Sequence, residues 1–213
     1  VVNNPVLASL LLGLAAIVPI PASVQAEEGP IARVPAVQES NPDPIVQEMF
    51  ANAKARGGQI INLSLIRANA PKLAKPGSGV AYAIRYDTKT PRRLIELAIL
   101  HTAELYDGVY EINQHRPMMR ACNYTPEQID AVAQWRDSKL FDEKQRALLA
   151  YVDQAARGDV DDATFAEFAK FFDTQEIVEI TITIDNYVGT ALFTRALRIQ
   201  VETDGRETSI GKC

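Results

Sequence analysis

The sequence is poor in the residues from which thiol and metal sites are built. It has two cysteines, Cys122 and Cys213, and two histidines, His101 and His115. No C-x-x-C and no H-E-x-x-H occurs, which argues against a zinc centre and against a vicinal dithiol. No metal or cofactor is therefore expected. The basic residues are scattered and the net charge is -5, so nucleic acid is not an expected partner. There is no internal repeat and no low-complexity tract. The longest apolar run, Val6 to Ile20, is short for a membrane span and meets prolines at Pro19 and Pro21.

That run is followed by Val24-Gln25-Ala26, a small-residue cleavage pattern, and then by Glu27-Glu28. Residues 1–26 are expected to be a secretory signal, although a basic n-region is missing. Export, to a periplasm, follows, with no stable membrane insertion after processing. A retained anchor and a cytoplasmic protein are the alternatives. Residues 27–201 suit one domain with a sizeable core, and residues 202–213 read as a polar, mobile tail.

Within the domain the punctuation is helical. Asp43-Pro44 caps a short helix that ends near Arg56-Gly57-Gly58. Residues 60–69 form a second short segment. Pro76, Gly77 and Gly79 break the first half of 71–87, leaving Val80–Tyr86 as a helix or a buried strand. Thr90-Pro91 reads as a cap with proline at the first helical position. Thr125-Pro126-Glu127-Gln128 is a capping box, Asp142 and Asp161 start further helices, and Asp173 with Glu176 forms another box. Val178, Ile180, Ile182 and Ile184 alternate like a strand. The cap and the length of the run favour a helix from 174 to about 200. The expected fold is all-α, with about eight helices.

The chemistry concentrates in a helical hairpin, R-R-L-I-E-L-A-I-L-H-T-A-E-L-Y-D-G-V-Y-E-I-N-Q-H-R-P-M-M, that turns at Asp107-Gly108. Glu111 and His115 are one helical turn apart and share a face. Glu96 interrupts an apolar face, where a carboxylate is costly unless paired or protonated. Folding the hairpin brings the three towards one apolar crevice. Glu96 lies about 18 Å from the turn and His115 about 10 Å, at 1.5 Å per residue, so long side chains must close part of the gap.

These segments, with I-A-R-V-P in the leading arm, Y-T-P-E-Q-I-D-A-V, F-D-E-K-Q-R-A-L-L-A-Y-V and E-I-V-E-I-T-I-T-I-D-N-Y-V-G-T-A-L-F, resemble the carboxymuconolactone decarboxylase and AhpD-like peroxidase superfamily over most of residues 31–201. The resemblance implies an AhpD-like helical bundle and a homo-oligomer, trimer or hexamer, with sites near subunit contacts. The peroxidase branch carries a glutamate, two cysteines three apart, and a histidine. The matching places here hold Glu96, Gly108, Glu111 and His115, so the acid and the imidazole remain and both thiols are gone. Hydroperoxide reduction needs a thiolate and a resolving partner, which disfavours a thiol peroxidase.

The decarboxylase branch has no such requirement. It implies a cofactor-independent lyase acting on a small, anionic lactone or keto acid. His115 is then the proton donor, since imidazole titrates near neutral pH. Glu111 orients it or tunes its pKa, Glu96 is a second carboxylate, and two close carboxylates would raise one another's pKa, making one a proton carrier. Arg33, if the arm folds over, holds an anionic group; Tyr110 and Tyr187 supply walls or hydrogen bonds. Each residue has a structural reading as well. His115 can be a core or interface histidine, Glu111 a helix-face stabiliser, Glu96 the partner of an arginine inside the bundle, and Arg33 plain solvent-facing charge. Tyr110 and Tyr187 can be packing residues. His101 is expected at the surface or an interface. Cys122 is expected to be buried, with pairing to Cys213 open. A non-catalytic oligomeric ligand-binding protein is the competing function.

Overall fold

The computed structural model describes residues 31–206 and Cys213. The expected signal segment and residues 207–212 lie outside the described residues. Within them the chain is all-α, with nine α-helices and one 3-10 turn. In chain order these are α1 (Pro44–Ala55), α2 (Asn62–Arg67), α3 (Pro71–Tyr86), α4 (Arg92–Leu105), α5 (Val109–Ala121), α6 (Pro126–Ala131), the 3-10 turn Val132–Gln134, α7 (Glu143–Ala155), α8 (Asp162–Phe168) and α9 (Thr174–Leu197).

Helix α4 is the axis of the bundle. Every residue from Leu94 to Ala103 is buried, Glu96, His101 and Thr102 included. A helix apolar on all sides belongs inside a protein, and α4 packs against α5, α7 and α9. Its apolar side chains meet Met119, Trp135, Leu148, Val152, Ile180 and Ile184 in the main core. A second cluster, with Val46, Phe50, Ile60 and Ala74, joins α1 and α3. A third ties the leading arm to the end of α9 through Ala32, Ile66, Tyr110 and Ile199. The arm is fastened there by backbone bonds, Arg33 N to Leu197 O at 2.8 Å and Gln200 N to Ile31 O at 2.9 Å.

Most helix starts follow their caps. Asp43, Asp142, Asp161 and Asp173 accept from first-turn amides, and Thr125, Asp142 and Asp173 complete reciprocal capping boxes. Thr90 does not cap. The helix starts one residue late, with Pro91 as the cap, because the Thr90 amide and hydroxyl both donate to Glu179 at 2.8 Å. Helix α3 runs unbroken through Pro76, Gly77 and Gly79. Pro76 lies inside the helix, past its first turn, and Ala74 and Ile84, one on each side of the proline–glycine stretch, are buried.

Helix α9 resolves its own ambiguity. Two residues along a helix is a rotation of about 200°. The alternating isoleucines and valine therefore form two i,i+4 pairs on nearly opposite faces. Ile180 and Ile184 are buried, whereas Val178 and Ile182 are half exposed.

Candidate active site

Helices α1, α2, α3, α5 and α9 line a cavity of about 330 Å³. Glu111 and His115, on α5, face it, and so do Tyr110, Tyr187 and Arg67. Glu96 stands behind His115, fully buried on α4.

The hairpin does bring Glu96 to His115. Nδ1 of His115 lies 2.7 Å from one oxygen of Glu96. The other oxygen accepts from Arg92 Nε at 3.0 Å, and Arg92 Nη2 lies within ion-pair distance of it, at 2.9 Å. Burial alone would push the Glu96 carboxyl up, but the charge and hydrogen bonds of His115 and Arg92 reverse that and hold it below the ordinary carboxylate range. An ionised carboxylate on Nδ1 fixes the ring's tautomer and orientation. It leaves Nε2 with no bond to any described residue. The ring edge packs on Tyr187, centroids 5.0 Å apart.

Glu111 does not orient His115. Its carboxylate turns to α9, where one oxygen accepts from the Thr194 hydroxyl at 3.0 Å. The other oxygen is buried with no hydrogen-bond partner. Burial raises the Glu111 pKa above the ordinary carboxylate value, against the opposing pull of the Thr194 hydrogen bond and the Arg67 charge. The two carboxylates are therefore driven apart, Glu96 down by its cationic partners and Glu111 up by desolvation. Mutual repulsion, which would raise both, is not what sets them. Gly108 makes room for this arrangement: a Cβ built there would come within 2.9 Å of the Glu111 carboxylate and 3.1 Å of Ala191.

Arg33 does not fold over the cavity. It is exposed and donates to the Ala196 carbonyl at 3.0 Å. Arg67 stands in the cavity wall instead, donating to Thr190 at 3.0 Å. Tyr110 lines the cavity, but its hydroxyl is engaged. It donates to Glu202 at 2.6 Å and accepts from the Leu63 amide at 3.2 Å. Glu202 also accepts from the Asn62 amide and from Gln114, while Arg206 bonds Ile60 O and Asn62. The start of the tail is thus fastened down rather than mobile. Cys122, buried after α5, is joined to Cys213 by a disulfide. The described residues hold no cluster of three or more histidine, cysteine or acidic side chains suited to a metal ion.

No family model and no curated protein matches the sequence. Solved structures do. An uncharacterized peroxidase-related protein from Ralstonia eutropha JMP134, with an alkylhydroperoxidase AhpD core, is similar with a TM-score of 0.72 at 18% identity, over 83% of this chain and 95% of that one. The chain has the AhpD-like fold. A peroxidase-related protein from Silicibacter sp. TM1040 shares the AhpD-like fold at a TM-score of 0.72 and 14% identity, over 86% of this chain and 99% of that one. The debrominase Bmp8, solved in complex with 2,3,4-tribromopyrrole, gives 0.64 and 17%, over 79% and 90%. On the AhpD-like scaffold seen here, no C-x-x-C lies beside the buried glutamate and histidine.

Arg92, Arg67 and Thr194 are site residues that sequence reasoning missed. Arg92 was readable, because it stands four residues before Glu96 on the same helix. Nothing local marks Arg67 or Thr194, which reach the site only through the packing of α2 and α9 on α5.

Proposed function

We propose that this protein is a cofactor-independent lyase of the decarboxylase type, acting on a small anionic lactone or keto acid by proton transfer. The observation that carries the reading is the divided acid pair around one imidazole. Glu96, on Nδ1 of His115, is held below the ordinary carboxylate range, and Glu111, in the cavity wall beside the same imidazole, is held above it. Environments that push two carboxyl groups apart are a general way of assigning acid and base roles.

In the reaction, the bond from the substrate's carbon to its carboxylate breaks and carbon dioxide leaves. The electron pair flows into a conjugated carbonyl, giving an enolate. The protonated Glu111 donates a hydrogen bond to the developing oxyanion. His115, protonated, delivers its Nε2 proton to the carbon, and any charge on the ring rests against the Glu96 carboxylate. The cavity is at the small end of ordinary ligand sites, which fits a small organic acid.

Export and self-association belong to the same proposal. A Cys122–Cys213 disulfide suits an oxidising compartment. Val178, Ile182 and Leu192 leave apolar surface on α9 that a second copy could cover. No helix among the described residues is long and apolar enough to cross a membrane.

The test is carbon dioxide release from a panel of lactone and β-keto acids. Turnover of at least one is expected, falling by about 10²–10⁴ in His115→Ala with an unchanged circular dichroism spectrum. Retention of ligand without turnover across the panel would instead mark a binding protein.

A further inference from the structure

The cavity wall carries more cationic than anionic side chains. Arg56, Arg67, Lys75 and Arg85 line it, and Glu111 is its one acidic residue. Lys75 is paired with Glu48 at 2.7 Å, and Arg56 stacks over Tyr82 at 3.7 Å. Arg67 and Arg85 have no carboxylate within ion-pair distance among the described residues. Arg67 makes one hydrogen bond, to Thr190 at 3.0 Å, and Arg85 makes one, from Nε to the Ala81 carbonyl at 3.1 Å. Both guanidinium groups are half-buried, and each presents five donors in a planar fork. Glu111 pulls on Arg67 electrostatically but forms no ion pair with it among the described residues, because its carboxylate is turned to Thr194.

Tyr187 adds a third donor. The residue is 5% exposed, and its hydroxyl bonds no described residue. It is within electrostatic reach of Arg85 and Arg67, as well as of Glu96 and Glu111, and its ring stands perpendicular to that of His115 with centroids 5.0 Å apart.

Resting on the acid–base reading of His115 and Glu111, we infer that Arg67 and Arg85, together with the Tyr187 hydroxyl, form a carboxylate-binding subsite beside His115. Planar guanidinium groups match a carboxylate's two oxygens, and a hydroxyl donor without a partner completes the set. The carboxylate held there is one the substrate keeps. A group about to leave as carbon dioxide gives up its charge, and a grip by arginine would oppose that loss. The subsite therefore sets specificity and position, while proton transfer falls to His115 and Glu111.

Benzoate and benzamide, alike in shape and different in charge, are suitable probes for calorimetry on the full chain at neutral pH. Saturable benzoate binding is expected, with benzamide weaker by about tenfold or more. Arg67→Gln and Arg85→Gln should each weaken benzoate by about tenfold and leave benzamide unmoved. If Arg67→Gln does not fold, Arg67→Lys and Tyr187→Phe carry the same test, since each removes donors while keeping the residue's bulk. No saturable benzoate binding, equal binding of the two probes, or benzoate binding indifferent to these variants overturns the subsite. Its failure is separable from that of the acid–base reading. Arginine-dependent benzoate binding without turnover of any acid keeps the subsite and discards the lyase. Turnover with arginine-independent binding does the reverse.

Discussion

His101 and His115 each meet a carboxylate at 2.7 Å, and each is buried. His101, on α4, reaches across to Asp153 on α7, whose other oxygen accepts from Arg136 and Trp135. Its Nδ1 is sealed in the core without a partner, and the ring lies edge-on to Trp135, away from the cavity. His115 has the same kind of pairing with its free nitrogen on the cavity side. The carboxylates also behave alike. Burial would raise both, yet Asp153 is held low by His101 and Arg136, as Glu96 is by His115 and Arg92. An imidazole–carboxylate pair is thus not by itself a site. What separates the two is whether the far side of the ring opens onto a space that can hold a substrate.

The sharpest way to break this comparison is at the carboxylates. Glu96→Ala leaves Arg92 and His115 buried without their counter-charge and should cost about 3–5 kcal/mol of stability, together with activity. Chemical denaturation and turnover assays read the two effects. The matching change on the other pair, His101→Ala, should cost about 1–3 kcal/mol and leave kcat and KM near wild type. A loss of turnover without a loss of stability would make His101 a functional histidine and dissolve the distinction.

Protonation sharpens it further. A depressed carboxylate contributes stability above its ordinary pKa and loses it as pH falls through the folded value. Glu96 and Asp153 should therefore both feed an acid-side loss below the ordinary range, at about pH 4. Glu111 has the opposite sign. Its raised pKa means that ionisation works against the folded state as pH climbs above about 4.5. Glu111→Gln should then melt higher than wild type at neutral pH, with the gap closing at acid pH, while turnover drops. A gap independent of pH would show that Glu111 ionises freely. The smallest effect is expected at Arg33→Ala, which should leave the melting temperature and KM unchanged, because the side chain is exposed and lies outside the cavity.

Much of the fold was legible because it rests on local chemistry. The aspartate and threonine caps state where helices begin, and the broad apolar face of α4, interrupted by Glu96, states which helix is central. Thr90 and the first half of α3 were misread because tertiary contacts overrode a local preference. Glu179, from α9, takes Thr90's donors, and burial of Ala74 and Ile84 carries α3 across its glycines. In the site, spacing along two adjacent helices was enough to place Glu96 beside His115. It could not show that Glu111 turns to Thr194, or that Arg67 rather than Arg33 stands by the cavity, because those contacts join segments far apart in the chain. His101 was misplaced because its partner, Asp153, lies 52 residues away.

The close approach at Gly108 bears on how such a site could change its chemistry. A sulfur-bearing side chain at 108 would push the Glu111 carboxylate off Thr194 and crowd Ala191 and the Ala103 carbonyl as well. Installing a thiol there is therefore not a single step that adds a nucleophile to an intact acid. Any side chain at 108 is coupled to position 111: the Glu111 carboxylate has to swing aside and Ala191 has to give by a few tenths of an ångström before it fits.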